Sequence, residues 1–329
     1  MFEVRSNLRA LFIAAGLSAL STTTFAADQV GTVTLGWLKS TANLIAVEAP
    51  KLSSKYGLKI ESVNFNNGVD IATALVNGQI DVALLTPIHL IRALDGKVNF
   101  VQIAGNARGN TIIVASKKLD LAENDWNGLK AAMKGRKLRV ASSHGSVNEL
   151  LGIAQLAQKG IDVDTDLELV NIASFAQHPQ ALRSGEFDMI ITIEPLSTLV
   201  VTEGVGTVFN RPIDTPAGDL NTNYLVRGDW LEKNTAKARA FVGSVVEASK
   251  LLSSNKQLEL EDAKQLTGLK PEVLTLALAN NRYDLSDGLA QMQELARIAF
   301  KRKYTSRDIA PELPKAVNNT FVREFVPGQ

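Results

Sequence analysis

The chain has 329 residues, of which 45% are hydrophobic, 21% charged and 6% aromatic, and this composition excludes collagen, coiled coils and disordered polymers. Its 35 basic and 34 acidic residues nearly balance, which disfavours a nucleic-acid-binding protein, because such proteins usually carry a basic excess. With no cysteine and three histidines, the chain has no disulfides, thiolate metal sites or cysteine nucleophiles, and we expect neither a metal nor a cofactor.

The N-terminus has the three parts of a secretory signal peptide. Arg5 and Arg9 form the positive part, residues 10–20 are apolar, and Thr24 and Ala26 are the small residues that precede a cleavage site. The apolar stretch is much shorter than the roughly 20 residues that a membrane span needs. We therefore predict cleavage after Ala26 and a mature protein in the periplasm, without a membrane span.

Strand and helix patterns alternate along most of the chain. In the first part, the predicted strands are 31–38, 58–65, 81–85 and 99–104, and the predicted helices are 43–55, 70–77 and one that begins at Thr86-Pro87. The alternation begins again with strands 137–141, 167–172 and 188–193 and with helices 147–159, 175–184 and 195–203. After a strand at 221–227, the predicted elements are the helices 229–252, 261–266, 271–279 and 287–303. This order predicts an α/β protein with parallel sheets and with helices on both faces of each sheet.

Two segments repeat the same pattern. Residues 74–81 read Ala-Leu-x-Asn-Gly-Gln-Ile-Asp, and residues 181–188 read Ala-Leu-x-Ser-Gly-Glu-Phe-Asp. Each is followed by an apolar strand and then by a polar residue with proline, Thr86-Pro87 or Glu194-Pro195. The shared spacing predicts two similar α/β lobes that face each other.

The repeat and the later helices suggest a division of the chain. We assign residues 1–26 to the signal peptide, 27–112 and 222–329 to lobe I, and 113–221 to lobe II. The helical C-terminal tail is predicted to pack on lobe I.

Sequence motifs that would indicate an enzyme are absent. The chain has no phosphate-binding loop, no G-x-S-x-G elbow and no H-E-x-x-H pair. Ser143 and His144 are neighbours in one loop, and adjacent residues rarely reach the geometry of a catalytic triad. We therefore expect a binding protein with no catalytic residues.

The loop after the predicted strand 137–141 is the first candidate for a ligand site. In α/β sheets, ligands bind beyond the carboxyl ends of the strands, where loops lead into helices. This loop consists of five small or polar residues, Ser142, Ser143, His144, Gly145 and Ser146. Its backbone N–H groups and hydroxyls could hold an anion, helped by the helix dipole. The alternative is an ordinary serine N-cap.

Five more residues lie at similar strand ends. Thr86 could donate its hydroxyl to a ligand or act only as an N-cap. Glu194 could accept an N–H from a ligand amine, or it could be a solvated carboxylate in a first helical turn. Trp37 could stack on a ligand or fill the core. Lys39 could attract an anion or be an ordinary surface charge, and Asn106 could donate to a ligand.

Taken together, these features resemble the periplasmic substrate-binding proteins of ABC importers, in the group for aliphatic sulfonates, taurine, nitrate and thiamine-precursor pyrimidines. The resemblance rests on Gly36-Trp37, residues 77–81 with Thr86-Pro87, residues 104–106, 142–146, 184–188 with Glu194-Pro195, and 223–234.

The resemblance implies a type II periplasmic-binding-protein fold, in which two α/β lobes close over one ligand in the cleft between them. It implies a monomer that binds a small molecule and docks on an ABC permease with its ATPase subunit. Trp37, Thr86, Asn106, the loop 142–146 and Glu194 would contact the ligand, the loop as an anion seat and Glu194 as the partner of an amine. An aliphatic sulfonate or a taurine-like compound is the expected ligand.

Three alternatives remain open. The ligand could be a pyrimidine or another nitrogen heterocycle, with Trp37 stacking on it. The chain could be a secreted hydrolase or lyase that uses His144 and Glu194 as acid and base. It could also be a sensor domain that serves a membrane receptor.

Overall fold

A computed structural model describes residues 30–327, so the predicted signal peptide lies outside the described residues. The strands are β1 (Gly31–Leu38), β2 (Leu58–Phe65), β3 (Val82–Leu85), β4 (Phe100–Gly109), β5 (Thr111–Ser116), β6 (Leu138–Ser142), β7 (Leu167–Asn171), β8 (Met189–Ile193), β9 (Gly206–Asn210), β10 (Leu220–Arg227) and β11 (Asn281–Tyr283). The helices are α1 (Ile45–Leu52), α2 (Gly68–Val76), α3 (Pro87–Asp95), α4 (Trp126–Ala132), α5 (Val147–Gln158), α6 (His178–Ser184), α7 (Leu196–Thr202), α8 (Gly228–Lys233), α9 (Thr235–Ser254), α10 (Lys256–Thr267), α11 (Pro271–Leu278), α12 (Leu289–Lys301) and α13 (Thr320–Phe325).

The strands form two separate sheets. Sheet I has the order β11-β4-β10-β3-β1-β2, and sheet II has the order β7-β6-β8-β5-β9. In sheet I, β1 is parallel to β2 and β3, and in sheet II, β6 is parallel to β7 and β8. These parallel strands are joined through helices, as parallel neighbours require.

The sheets contain the predicted parallel strands, but each sheet also contains antiparallel strands that were not predicted. β10 is antiparallel to β3 and β4, β11 is antiparallel to β4, and β5 is antiparallel to β8 and β9. β5 and β10 each enter their sheet directly from the other sheet. Since no helical crossover precedes them within their own sheet, they are free to run against their neighbours.

The chain crosses between the two sheets twice. β4 ends at Gly109 and β5 begins at Thr111, with Asn110 between them at φ 72°. The second crossing runs from Asn210, the last residue of β9, to Leu220, the first residue of β10. Strands before residue 110 and after residue 219 therefore belong to lobe I, and those between belong to lobe II. The predicted two-lobed α/β fold is confirmed.

The helical C-terminal region packs on lobe I, as predicted. The fully buried Phe241 and Val245 of α9 share a core cluster with Val33 of β1 and Ile45 of α1. The predicted helix 229–252 is divided at Asn234 into α8 and α9, and the side-chain amide of Asn234 donates to the Trp230 carbonyl at 2.9 Å.

Helix α5 connects the cores of the two lobes. Its residues Leu150 and Leu151 are fully buried in a cluster that also contains Met292 and Leu295 of α12. Its residue Ile153 belongs instead to the core of lobe II. The N-terminal end of α5, which carries the loop 142–146, is therefore held at the boundary between the lobes. Within residues 30–327, no helix has both the length and the apolar character needed to span a membrane.

Candidate ligand-binding site

Trp37, at the end of β1, lies mainly in the core of lobe I. Its side chain is 4% exposed and packs in the same cluster as Leu35 and Ile45. The indole Nε1 has no hydrogen-bond partner among the described residues. Lys39, two residues further along, is exposed. The core alternative for Trp37 is therefore the one that its burial favours, while stacking on a ligand stays a prediction.

Asn106 is fully buried at the centre of a polar network under the loop that follows β1. Its side-chain amide donates to Thr222 Oγ1 at 2.8 Å and to the Ala42 carbonyl at 3.0 Å. Its Oδ1 accepts from the Tyr224 hydroxyl at 2.9 Å. Asn43, which donates to the Leu38 carbonyl at 2.9 Å, belongs to the same network. Asn106 thus holds the β1–α1 loop in place.

Thr86 precedes α3, but its hydroxyl makes no capping bond to the helix backbone. It lies 3.0 Å from His89 Nδ1 instead. Burial lowers the pKa of His89 to about 4, so its imidazole is neutral at physiological pH. The two side chains form a polar pair at the carboxyl end of β3.

A buried carboxylate, Glu149, lies against the loop 142–146. Its Oε2 accepts from the Ser142 hydroxyl at 2.5 Å, and its Oε1 accepts from the Gly145 N–H at 3.1 Å. Ser146 caps α5 by accepting from the Glu149 N–H at 3.1 Å. Both Ser142 and Glu149 are fully buried. Two of the donors expected to hold an external anion are therefore bound to the chain's own carboxylate.

The sequence reasoning missed Glu149, although a signal for it exists. Ser146-x-x-Glu149 is the spacing of a capping box, in which the glutamate side chain folds back on the start of its own helix. Here Glu149 reaches the N–H of Gly145, one residue before the N-cap.

The side chains of this loop that solvent can reach are those of Ser143, His144 and Ser146. The Ser143 hydroxyl donates to the Ala173 carbonyl at 3.2 Å, and the His144 N–H donates to Asn171 Oδ1 at 3.1 Å. The His144 side chain is 38% exposed, and its Nε2 lies 3.7 Å from Glu149 Oε2. The Ser143 hydroxyl does not donate to His144, so the two side chains lack the bond that a nucleophile and its base would share.

Glu194, at the carboxyl end of β8, is 2% exposed and therefore is not a solvated carboxylate. Its Oε2 accepts from the Thr198 N–H in the first turn of α7 at 3.1 Å. Its Oε1 accepts from the side-chain amide of Asn280 at 2.8 Å, and its own N–H donates to Asn110 Oδ1 at 2.6 Å. Asn280 belongs to lobe I, so this contact crosses between the lobes, and no sequence signal indicated it.

The ten predicted residues thus form four groups rather than one. Trp37, Lys39 and Asn106 lie in or beside the β1–α1 loop, and Thr86 pairs with His89. The loop 142–146 contacts Glu149, and Glu194 pairs with Asn280. Within the described part of the chain, no three acidic or histidine side chains are grouped so as to hold a metal ion. Both lobes contribute members that solvent can reach, namely Lys39, Thr86, Ser143, His144 and Ser146.

Comparison with known proteins gives consistent results. The model of the NMT1-like family matches residues 26–266, which is more than half of the chain. The putative binding protein YtlA of Bacillus subtilis is 23% identical over 284 residues, which cover 84% of this chain and 81% of that protein.

Solved structures of similar fold include two with named ligands. The alkanesulfonate-binding protein SsuA of Xanthomonas axonopodis, bound to MOPS, matches with a TM-score of 0.72 and 18% identity, covering 90% of this chain and 100% of that chain. The nitrate-binding protein NrtA of Synechocystis matches with a TM-score of 0.75 and 19% identity, covering 91% of this chain and 89% of that chain.

Proposed function

The chain belongs to the NMT1-like family, and from that premise we propose that it is the substrate-binding component of an ABC importer. It acts in the periplasm as a monomer, binds one small solute between its lobes and delivers it to a permease with its ATPase subunit. It makes and breaks no covalent bond.

The observation that carries this proposal is the distribution of accessible polar groups over two lobes joined by two crossings. Lys39 and Thr86 come from lobe I, and Ser143 and His144 come from lobe II. A solute bound by groups of both lobes favours the state in which the lobes are together, because only that state makes all of the contacts. This property distinguishes a carrier from a protein that binds its ligand on one face.

We propose further that the solute is a small anion or zwitterion, an aliphatic sulfonate or a taurine-like compound. The names of SsuA and NrtA support an oxyanion ligand. Since Glu149 already binds the Ser142 hydroxyl and the Gly145 N–H, the sulfonate would be held by the accessible side chains of His144 and Lys39. The Ser143 hydroxyl would join them by exchanging its bond to the Ala173 carbonyl for one to the sulfonate. Charge-assisted bonds of this kind are stronger than bonds between neutral groups.

A thermal melt of residues 27–329 against a small-molecule panel tests both parts of the proposal. The panel contains taurine, alkanesulfonates, nitrate, bicarbonate, sulfate and an aminopyrimidine. We expect a sulfonate to raise the melting temperature, because a ligand that binds only the folded state stabilises it by mass action. No shift with any solute would contradict the ligand class, and a solute that is converted rather than recovered intact would contradict a binding role.

Matched variants identify the contacts. His144→Ala and Ser143→Ala should each reduce the rise in melting temperature that a sulfonate causes. Ser254→Ala is the control, because the Ser254 hydroxyl also donates to a backbone carbonyl, that of Leu251 at 3.1 Å, but lies on α9. An equal reduction in all three variants would argue against a contact with the loop.

A nitrogen heterocycle is the second candidate ligand. The buried indole N–H of Trp37 has no partner among the described residues, and a ring nitrogen or carbonyl of a heterocycle could accept from it. In that case the aminopyrimidine alone should raise the melting temperature, and Trp37→Phe should remove most of the ligand-induced change in fluorescence.

A further inference from the structure

A short segment after α12, residues 302–307, is anchored on lobe I; we call it the strap. The N–H and the hydroxyl of Ser306 donate to the two carboxylate oxygens of Asp95, the last residue of α3, at 2.9 and 2.7 Å. The Arg307 guanidinium donates to the Leu94 carbonyl at 2.6 Å. These bonds fix the strap to α3 independently of lobe II.

From this anchor the strap reaches across to lobe II at two points. The Tyr304 hydroxyl donates to Glu149 Oε1 at 2.5 Å. The Arg302 guanidinium donates to Asp164 Oδ1, in the loop after α5, at 2.6 Å. The Asp164 side chain is 73% exposed, so the ion pair contributes little. The Tyr304 bond instead ends on the fully buried Glu149 carboxylate, where a hydrogen bond is stronger than in water.

Glu149 connects Tyr304 with the candidate ligand loop 142–146. The oxygen that accepts from Tyr304 also accepts from the Gly145 N–H, and the other oxygen accepts from Ser142. Burial and the neighbouring Glu149 carboxylate raise the pKa of Tyr304 to about 12, so the hydroxyl remains a donor throughout the physiological range. One side chain of lobe I is therefore bonded through one carboxylate to the loop 142–146 of lobe II.

We infer that Tyr304 is a positioning residue that latches lobe II to the strap through Glu149, and that this latch favours the closed arrangement of the lobes in the absence of ligand. Separation of the lobes at this point breaks the bond between Tyr304 and Glu149. The Glu149 carboxylate then keeps only its bonds with Ser142 and Gly145 of the loop. The consequence for ligand capture rests on the proposed function, but the latch itself is measurable without any ligand.

The experiment measures the distance between the lobes in the ligand-free protein. Since the chain has no native cysteine, spin labels can be placed at Val69→Cys on lobe I and Lys134→Cys on lobe II, two exposed positions. Pulsed dipolar spectroscopy then reports the populations of the interlobe distances. In Tyr304→Phe, we expect the ratio of closed to open populations to fall about tenfold, as expected for one hydrogen bond to a charged group.

Tyr56→Phe is the matched control. The Tyr56 hydroxyl also donates to a glutamate, Glu247 Oε2 at 3.3 Å, but both residues lie on lobe I, so its distance distribution should equal that of the unmodified chain. Glu149→Gln is the second test of the latch and should shift the populations in the same direction. Distributions in Tyr304→Phe and Glu149→Gln identical to that of Tyr56→Phe would overturn the latch. A population shift without any response to the solute panel would support the latch and contradict only the proposed ligand class.

Discussion

Asn280, between α11 and β11, donates its side-chain amide to Glu194 Oε1 at the carboxyl end of β8, at 2.8 Å. The contact joins the two lobes, and the Oδ1 of Asn280 accepts from Arg211 Nε at 3.0 Å, at the start of the second crossing. Together with the contact between Tyr304 and Glu149, it places a buried lobe II carboxylate against a lobe I donor at two separate points. Tyr304 of lobe I thus contacts the candidate ligand loop 142–146 through Glu149, and Asn280 of lobe I contacts the end of β8 at Glu194.

Asn280→Ala should destabilise the protein by about 1–3 kcal/mol. Glu194 is 2% exposed, so Oε1 would remain buried without this donor, while Oε2 keeps the Thr198 N–H. Urea denaturation gives the free energy of unfolding. Gln257→Ala is the control, since Gln257 also donates a side-chain amide to a carboxylate, Glu261 at 2.8 Å, but on an exposed helical surface. A loss no larger than that of Gln257→Ala would show that the contact carries little energy.

Asn106→Ala should cost about 2–4 kcal/mol of stability and should loosen the β1–α1 loop. The change removes the donor to Thr222 and to the Ala42 carbonyl, and it leaves the fully buried Tyr224 hydroxyl without its acceptor. Tyr224→Phe removes one bond of the same network, so its loss should be smaller, about 1 kcal/mol. Urea denaturation of both variants checks the order, and equal losses would contradict a central role for Asn106.

Gly105→Ala should destabilise the protein by about 1–3 kcal/mol through overpacking. A Cβ at this position would lie 2.5 Å from the Ser286 carbonyl oxygen and 2.6 Å from that of Asp284, and backbone atoms cannot rotate away. Gly96→Ala is the control, because its φ is −78° and its nearest atoms are 3.5 Å away. Thermal melts should show a clear loss for Gly105→Ala and almost none for Gly96→Ala. Equal effects would mean that segment 284–286 moves without cost.

A pH dependence is expected from Asp262 on α10. Burial and a hydrogen bond with Glu48 raise the pKa of Asp262 to about 6 in the folded protein, from 3.8 in the unfolded chain. Since the folded state then binds the proton more tightly, this group stabilises the fold at low pH, and its contribution is lost as the pH rises from about 4 to about 6. The free energy of unfolding of the unmodified chain, minus that of Asp262→Asn, should therefore fall over this interval.

Urea denaturation at pH 4, 5, 6 and 7 measures that difference. Glu232→Gln is the control, because Glu232 is exposed on α8 and its replacement should leave the pH profile unchanged. A difference between the unmodified chain and Asp262→Asn that stays constant or grows with pH would contradict the assignment.

Local patterns determined the alternation of strands and helices, the division into two α/β lobes and the family resemblance. Periodicity, capping residues and glycine positions act over a few residues, so they can be read along the chain. The repeat at 74–81 and 181–188 marks corresponding helix ends, before β3 in one lobe and β8 in the other. The strands β5, β9 and β11 were not predicted. The antiparallel direction of β10 was not predicted either, because strand direction depends on which sheet the chain enters.

The tertiary structure alone decided how the candidate residues are used. Asn280, the lobe I partner of Glu194, is 86 residues away, and Tyr304, the lobe I partner of Glu149, is 155 residues away. No local pattern specifies such contacts. Burial also depends on what packs on a residue from other elements, and the folded chain buries both Asn106 and Glu194. The sequence determined which groups could donate and accept, and the folded chain determined which donor meets which acceptor.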